Sequence, residues 1–360
     1  MNNQNNVVFG AGPLGIWVAH VLIEQGKKVT IVNRSGIISS GNIEGVTVVA
    51  ADASNSEEVF EVCKGTNSVF HCAMPPYTQW PEKFPALTKG IISGVKKAGA
   101  KLIYGDNLYG YGSTNGAVIS EDLPYKAIGS KGKIRASMAE MILSEEGIEA
   151  VIGRGSDFYG PMVKNSVLGE TFFQSALLGK AVNLLGNIDL PHTYTYIKDF
   201  AAALVKLSDS PDSFGEIWHV PNSPTISTRQ LVEITERQIN QTIKVRSAGK
   251  LMVSLLGLFN PILKETKEMM YEWEQPYIVD HNKFENMFGS ETTPHEVAVK
   301  ETVEWHEEEL KDGKELYNKA VNSDPAKQCG LRHSLRSILP QSTQFRRSGY
   351  GGRYVFPTEL

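Results

Sequence analysis

Apolar residues in the first half of the chain fall into short runs, separated by polar turns and by stretches of helical spacing. Val7-Val8-Phe9, Val29-Thr30-Ile31-Val32, Val46-Thr47-Val48-Val49, Ser68-Val69-Phe70-His71, Lys101-Leu102-Ile103-Tyr104 and Ala150-Val151-Ile152 read as strands. Between most of them, 16–25, 56–63, 84–98 and 133–145 repeat apolar positions at the spacing of one helix face, the first ending at Gly26 as C-cap. Strands that alternate with helices predict parallel pairing through right-handed crossovers. The expected fold class is α/β, a doubly wound parallel sheet over residues 1–160. The pattern then loosens. Helical stretches are expected at 168–178, 198–207 and 228–238, with a loop at 221–225, a Met/Trp/Tyr-rich segment at 269–277 and acidic helical sequence over 303–317. These predict a smaller substrate lobe, 161–324, interleaved with the core over the mouth of the sheet. Residues 325–360 have no periodicity and predict a disordered tail.

Composition narrows the class. Hydrophobic residues make up 41% and charged residues 21% of 360, ordinary globular usage. Cys63, Cys72 and Cys329 include no Cys-x-x-Cys pair, so neither a disulfide framework nor a structural zinc site is expected, and no metal is assigned. The opening Met-Asn-Asn-Gln-Asn-Asn lacks the basic and apolar regions of a signal peptide, and no uncharged apolar run is long enough for a membrane span. The expectation is a cytoplasmic protein with no membrane or nucleic-acid partner. Its net charge of −4 is uneven: 325–360 carry six basic residues and one acid (+5), and 1–324 carry 30 basic and 39 acidic (−9).

The candidate chemistry begins at Gly10-Ala11-Gly12-Pro13-Leu14-Gly15, which follows a strand and opens a helix. In that context a Gly-x-Gly-x-x-Gly turn points to a dinucleotide: Gly10 for the tight turn, Gly12 for close approach of a diphosphate, Gly15 for helix–strand packing. The helix N-terminus adds free amides and a positive dipole. Where NAD binders place an acid at the end of the second strand, this chain has Asn33-Arg34-Ser35, which suits a 2′-phosphate. NADP(H) is therefore the expected cofactor, with NAD the alternative. Asp52 is positioned to accept from the adenine amino group, and Ala73-Met74-Pro75 to border the ribose. His71 and Cys72 read as packing residues.

On the glycine turn, Val69-Phe70-His71-Cys72-Ala73, 102–112, 154–161 and Tyr194-Thr195-Tyr196-Ile197-Lys198-Asp199, residues 6–310 resemble the extended short-chain dehydrogenase/reductase superfamily, in its NAD-dependent epimerase/dehydratase group. The glycine turn departs slightly, since Phe9 stands where extended members usually have their first glycine. The resemblance implies a Ser or Thr and a Tyr-x-x-x-Lys whose phenol is the acid/base and whose Lys lowers its pKa. Counted by the family spacing, these positions are Asn107, Gly132 and Ala136. The literal Tyr194-x-x-x-Lys198 lies in the segment that joins the two lobes and is set aside. Asp106, Asn107 and Tyr109 then become the expected catalytic groups, and Tyr77, Trp80, Asp157, Phe158 and His192 the expected substrate contacts. Two readings follow. One is an NADP(H)-dependent oxidoreductase or epimerase-like enzyme acting on a small carbonyl or hydroxyl compound. The other is a catalytically silent dinucleotide sensor or regulatory protein. Members often dimerise through the helix that carries the position of Ala136, so a homodimer is one expectation.

Overall fold

The structure, a computed structural model, describes residues 5–323 apart from 39, 40, 42, 257, 259 and 260. The expected tail, 325–360, lies outside the described residues. The chain forms two compact units, 1–306 and 307–360, so the sheet and the later lobe share the first.

The opening elements are β1 (Asn5–Phe9), α1 (Pro13–Glu24), β2 (Lys28–Asn33), β3 (Val46–Ala50), α2 (Ser56–Cys63), β4 (Ser68–His71), α3 (Trp80–Ala98), β5 (Lys101–Asn107), α4 (Ser130–Ser144) and β6 (Ala150–Gly155). Their boundaries have local causes. Asn55 caps α2 by accepting from the Glu57 amide at 3.1 Å. Gly99 ends α3 at φ +68°, a left-handed conformation that costs glycine nothing. Then come β7 (Asp157–Tyr159), α5 (Ser175–Leu177), β8 (Val182–Leu185), β9 (Pro191–His192), β10 (Tyr194–Tyr196), α6 (Ile197–Asp209), β11 (Ile217–His219), β12 (Ile226–Ser227), α7 (Thr228–Ile239), β13 (Val245–Ala248), α8 (Lys250–Leu256), α9 (Pro261–Thr266), α10 (Tyr271–Glu274), α11 (Asn282–Phe288) and α12 (His295–Ser323).

Seven strands make one parallel sheet in the order β11-β6-β5-β4-β1-β2-β3. Val8 lies opposite Ile31 on one side and Phe70 on the other. Successive side chains face opposite layers. Val7, Phe9, Leu102 and Tyr104 pack against α2, α3 and α4, while Val8 and Ile103 pack against α1 and α6. The strand order reverses between β1 and β4, and ligands of open α/β sheets bind in the crevice at such a point. The edge strand β11 comes from the later chain, which ties that lobe into the sheet. A third core, with Phe172, Phe173, Leu231 and Val299, fills the later lobe.

One later element differs from expectation. The helix expected over 168–178 is a π-turn, Glu170–Gln174, followed by the three residues of α5. Gly169 precedes it, where an added Cβ would lie 2.0 Å from the Lys164 carbonyl oxygen, so the close approach admits only glycine. No helix among the described residues is long and apolar enough to cross a membrane.

Candidate functional site

The three glycines of the first turn have three different surroundings. Gly10 has φ +107°, and a Cβ there would lie 2.7 Å from the Ala73 amide nitrogen. A Cβ at Gly15 would lie 2.0 Å from the Gly10 carbonyl oxygen, so α1 starts pressed against the turn. At Gly12, the N-cap of α1, a Cβ would meet nothing within 4 Å. Only the middle glycine therefore faces open space. The first-turn amides of Leu14 and Gly15 have no intrahelical acceptor. Pro13, at N1, removes an amide that the helix could not use.

At the end of β2, Asn33 is consumed by its own loop. Its Oδ1 accepts from the Gly36 amide (2.7 Å), the Ser35 amide (3.0 Å) and the Ser35 hydroxyl (3.1 Å), and its Nδ2 donates to the Ile37 carbonyl (2.7 Å). Ser35 Oγ is held by the same turn. Asn33 and Ser35 thus shape the loop, and the Arg34 side chain between them is exposed. Asp52 accepts from the Ser54 amide and hydroxyl at 2.9 and 2.8 Å. Those bonds, and the charge of Arg34, hold its carboxyl below the ordinary range. After β4, Ala73 is partly exposed, Met74 is 54% exposed, and Pro75 is buried.

Asp106 is not an available acid. It is 3% exposed, and both oxygens are taken: Oδ1 accepts from Arg135 Nη1 at 3.2 Å and Oδ2 from Arg154 Nε at 2.9 Å. Arg135 also donates to Tyr104 Oη (2.7 Å), and Arg154 to Tyr125 Oη (2.6 Å). This buried network corrects the expectation that Asp106 is catalytic. Trp80 is a second correction. It is 1% exposed, donates Nε1 to the Pro75 carbonyl at 3.1 Å, and lies under the Arg135 guanidinium (4.5 Å), so no substrate reaches its face. Its neighbour Tyr77 stays partly exposed, edge-on to the Trp80 ring at 4.9 Å. His71 is fully buried against Thr88, and burial pushes its pKa down to about 3.

Gly132, the position counted above by the family spacing, is packed solid. A Cβ at Gly132 would lie 2.3 Å from Ala127 Cβ and 2.5 Å from the Tyr109 carbonyl oxygen. Turn 109–111 lies directly on α4, and Ala136 is as small as that approach requires. Lys131, beside it, points away: Nζ donates to the Tyr77 carbonyl at 2.5 Å and pairs with Glu265 at 2.8 Å. The literal Tyr194/Lys198 pair is engaged elsewhere, Tyr194 Oη with Thr228 Oγ1 (2.7 Å) and Lys198 with Glu301 (2.6 Å).

Of the groups that remain at the mouth, Asn107, Tyr109, Asp157 and Phe158 are partly exposed. Asn107 Oδ1 accepts from the Tyr109 amide at 3.2 Å. The Tyr109 hydroxyl has no hydrogen-bond partner among the described residues. Burial first, and then the nearby Glu272 charge, hold its pKa well above the phenol range. Phe158 packs edge-on to Phe200 at 6.4 Å. Asp157 Oδ2 is 3.0 Å from His192 Nε2, and the His192 ring is buried, stacked on Tyr194 (4.5 Å) and Tyr277 (5.1 Å). Glu272, on α10, was missed from sequence. It is fully buried, with Oε1 accepting from Tyr277 Oη at 3.2 Å and Oε2 without a partner. Burial first, then the Asp157 charge, raises its pKa well above the carboxyl range. The available signal was one acid set among Met270, Tyr271 and Trp273. A cavity of about 510 Å³ opens beside Tyr109, Gly132 and Tyr271, with Lys250, Lys264 and Lys267 around it.

The sequence pattern of the NAD dependent epimerase/dehydratase family matches residues 7–220. Mouse sterol-4-alpha-carboxylate 3-dehydrogenase, decarboxylating, is 26% identical over 241 residues, 61% of this chain and 64% of the mouse protein. The match thus spans less than two thirds of that relative's length. Among solved structures, the Bordetella bronchiseptica enzyme WbmH in complex with NAD+ aligns with TM-score 0.67 at 18% identity, covering 85% of this chain and 98% of WbmH. UDP-N-acetylglucosamine 4-epimerase from Methanobrevibacter ruminantium M1, in complex with UDP-N-acetylmuramic acid, aligns with TM-score 0.70 at 19% identity, covering 86% and 100%. At these identities the likeness concerns the fold.

Proposed function

Because this chain belongs to the NAD-dependent epimerase/dehydratase family, we propose that it is an NADP(H)-binding oxidoreductase of that type, acting on a small carbonyl or hydroxyl compound. The observation that carries the reading is the open space at Gly12 between two glycines that admit no side chain. A diphosphate fits that space against the amides of Leu14 and Gly15 and the positive end of α1. Arg34 reaches the ribose 2′-phosphate, Asp52 faces the adenine, and Ala73 and Met74 border the ribose. The nicotinamide, when bound, supplies the hydride. This chain supplies position and a proton. Asn107 orients the reacting oxygen, Tyr77 and Phe158 wall the pocket, and Asp157–His192 closes it from the later lobe. Tyr109 holds its proton at neutral pH, so it can give one to a forming alkoxide, whereas the phenolate that alcohol oxidation would need as base is scarcely populated. That favours carbonyl reduction over alcohol oxidation.

Nucleotide titration tests the cradle. Gly12→Ala is expected to keep the wild-type melting temperature and to weaken NADP+ at least about tenfold, because the new methyl meets only the ligand. Arg34→Ala is expected to weaken NADP+ by about ten- to a hundredfold and leave NAD+ unchanged. Equal loss of both nucleotides would remove the 2′-phosphate assignment. Undiminished NADP+ binding by Gly12→Ala would remove the site.

A second reading, a dinucleotide sensor without turnover, is favoured by one observation. The vacated acid position is filled by Ala127 and the Tyr109 backbone, so this chain has closed the place rather than only lost the side chain. A screen of NADPH oxidation across aldehydes, ketones and sugar nucleotides separates the two. Turnover that falls at least about tenfold in Tyr109→Phe supports the enzyme, and silence across the screen with intact NADPH binding supports the sensor.

A further inference from the structure

Helix α8 buries only part of itself. Val253 is 1% exposed and packs with Met269, Met270 and Trp273. Leu251, Met252 and Leu255 are 78%, 53% and 57% exposed, and Leu258 beyond the helix is 76% exposed. Leu251 and Leu255 are four apart, one above the other on the same face. An isolated exposed leucine needs no explanation, but four large apolar side chains within eight positions make a patch. Nothing among the described residues covers it.

The charge around the patch says what does. Residues 244–264 contain four basic residues (Lys244, Arg246, Lys250, Lys264) and no Asp or Glu, in a chain whose net charge is −4. Lys267 adds a fifth just beyond. The exposed Lys264 and Lys267 form no ion pair among the described residues. Nearby acids are engaged: Glu265 pairs with Lys131, Glu268 accepts from the Ser130 and Lys131 amides at the start of α4, and Glu274 accepts from the Lys250 amide. A protein partner could match apolar surface alone. A bilayer with anionic headgroups matches leucines flanked by basic side chains, the composition of interfacial helices. Of those basic side chains, Lys264 and Lys267 are unpaired among the described residues and Lys250 lies 4.0 Å from Glu274. The patch also adjoins the cavity beside Tyr109, since Lys250 borders both, and Ile128 at that cavity is 91% exposed.

We propose that α8 and its surrounding lysines dock this protein on an anionic lipid surface, with the leucines in the acyl boundary and the lysines at the headgroups. The expectation of no membrane partner rested on the lack of a span, and docking of this kind needs none.

Flotation with phosphatidylcholine vesicles, with and without phosphatidylserine, tests the proposal on the full chain. Wild type is expected to bind the phosphatidylserine vesicles at least about tenfold more tightly and to lose that preference at high salt. Leu251→Glu/Leu255→Glu and, separately, Lys264→Glu/Lys267→Glu are each expected to lower this binding at least about tenfold. These side chains are exposed, so melting temperature and NADP+ affinity should stay at wild-type values, which keeps the test independent of the cofactor reading. Equal wild-type binding to both vesicles, or none to either, overturns the proposal. So does a leucine variant whose only change is loss of a dimer by light scattering, which would make a second copy of this chain the cover.

Discussion

Asp106→Ala is expected to destabilise the protein by about 3–5 kcal/mol, the cost of breaking a buried ion pair from one side. Asp106 on β5 lies directly opposite Arg154 on β6, and Arg135 reaches it from α4. Three elements of one layer boundary therefore share a single carboxylate. Removing it leaves two guanidiniums with side chains 7% and 0% exposed, and Arg135 Nε and Arg154 Nη1 already lack partners. Neither can shed its proton to escape. Asp106→Asn keeps one acceptor without the charge and should fall between alanine and wild type. Urea denaturation of the three proteins measures the order. If Asp106→Ala lost less than about 1 kcal/mol, in the range of an exposed pair, the carboxylate would not be what holds the two cations. Nucleotide affinity, measured where all three remain folded, should change little, because Asp106 does not reach the mouth.

Asp106 also marks where the sequence stops being readable. The glycine turn could be read because its physics is contained in six consecutive residues after a strand. The partners of Asp106 lie 29 and 48 residues away, and nothing in the run Tyr104-Gly105-Asp106-Asn107 says that Arg135 and Arg154 converge on it. Trp80 failed for a related reason. An aromatic at a loop end reads as a pocket wall, but its N–H is spent on Pro75 and its face on Arg135. The edge strand β11 went unread because Ile217-Trp218-His219 is three residues long and buried within a parallel sheet, so it shows no alternation. That Gly132 is closed in by Ala127 and the Tyr109 backbone could not be read either, since it depends on how turn 109–111 lies on α4.

Glu272→Gln is expected to stabilise the protein at neutral pH, by an amount that grows as pH rises. In the folded chain the carboxyl is buried beside Asp157, with one oxygen bonded only to a phenol and the other to nothing, and no cation pairs with it among the described residues. Burial therefore favours the protonated form, and the folded pKa lies well above the ordinary carboxyl range. In the unfolded chain the group ionises normally. Between those two pKa values the folded state binds one proton more than the unfolded state, so unfolding free energy falls by about 1.4 kcal/mol per pH unit on this account. The contribution is fully present below the unfolded pKa and is lost as pH rises through the folded one. Glutamine mimics the protonated acid in shape and polarity and has no proton to lose, so it removes the slope. The quantity to measure is the difference in unfolding free energy between Glu272→Gln and wild type, from about pH 5 to about pH 8, where the contributions of other groups cancel. A difference that climbs toward the variant places a neutral carboxylic acid behind Tyr109, next to the position that the proposed proton donor occupies. A difference that stays flat would mean that Glu272 is ionised when folded and that Tyr109 works beside a fixed negative charge. Its phenol would then be held still more firmly in the protonated form, and carbonyl reduction would be the direction left to it.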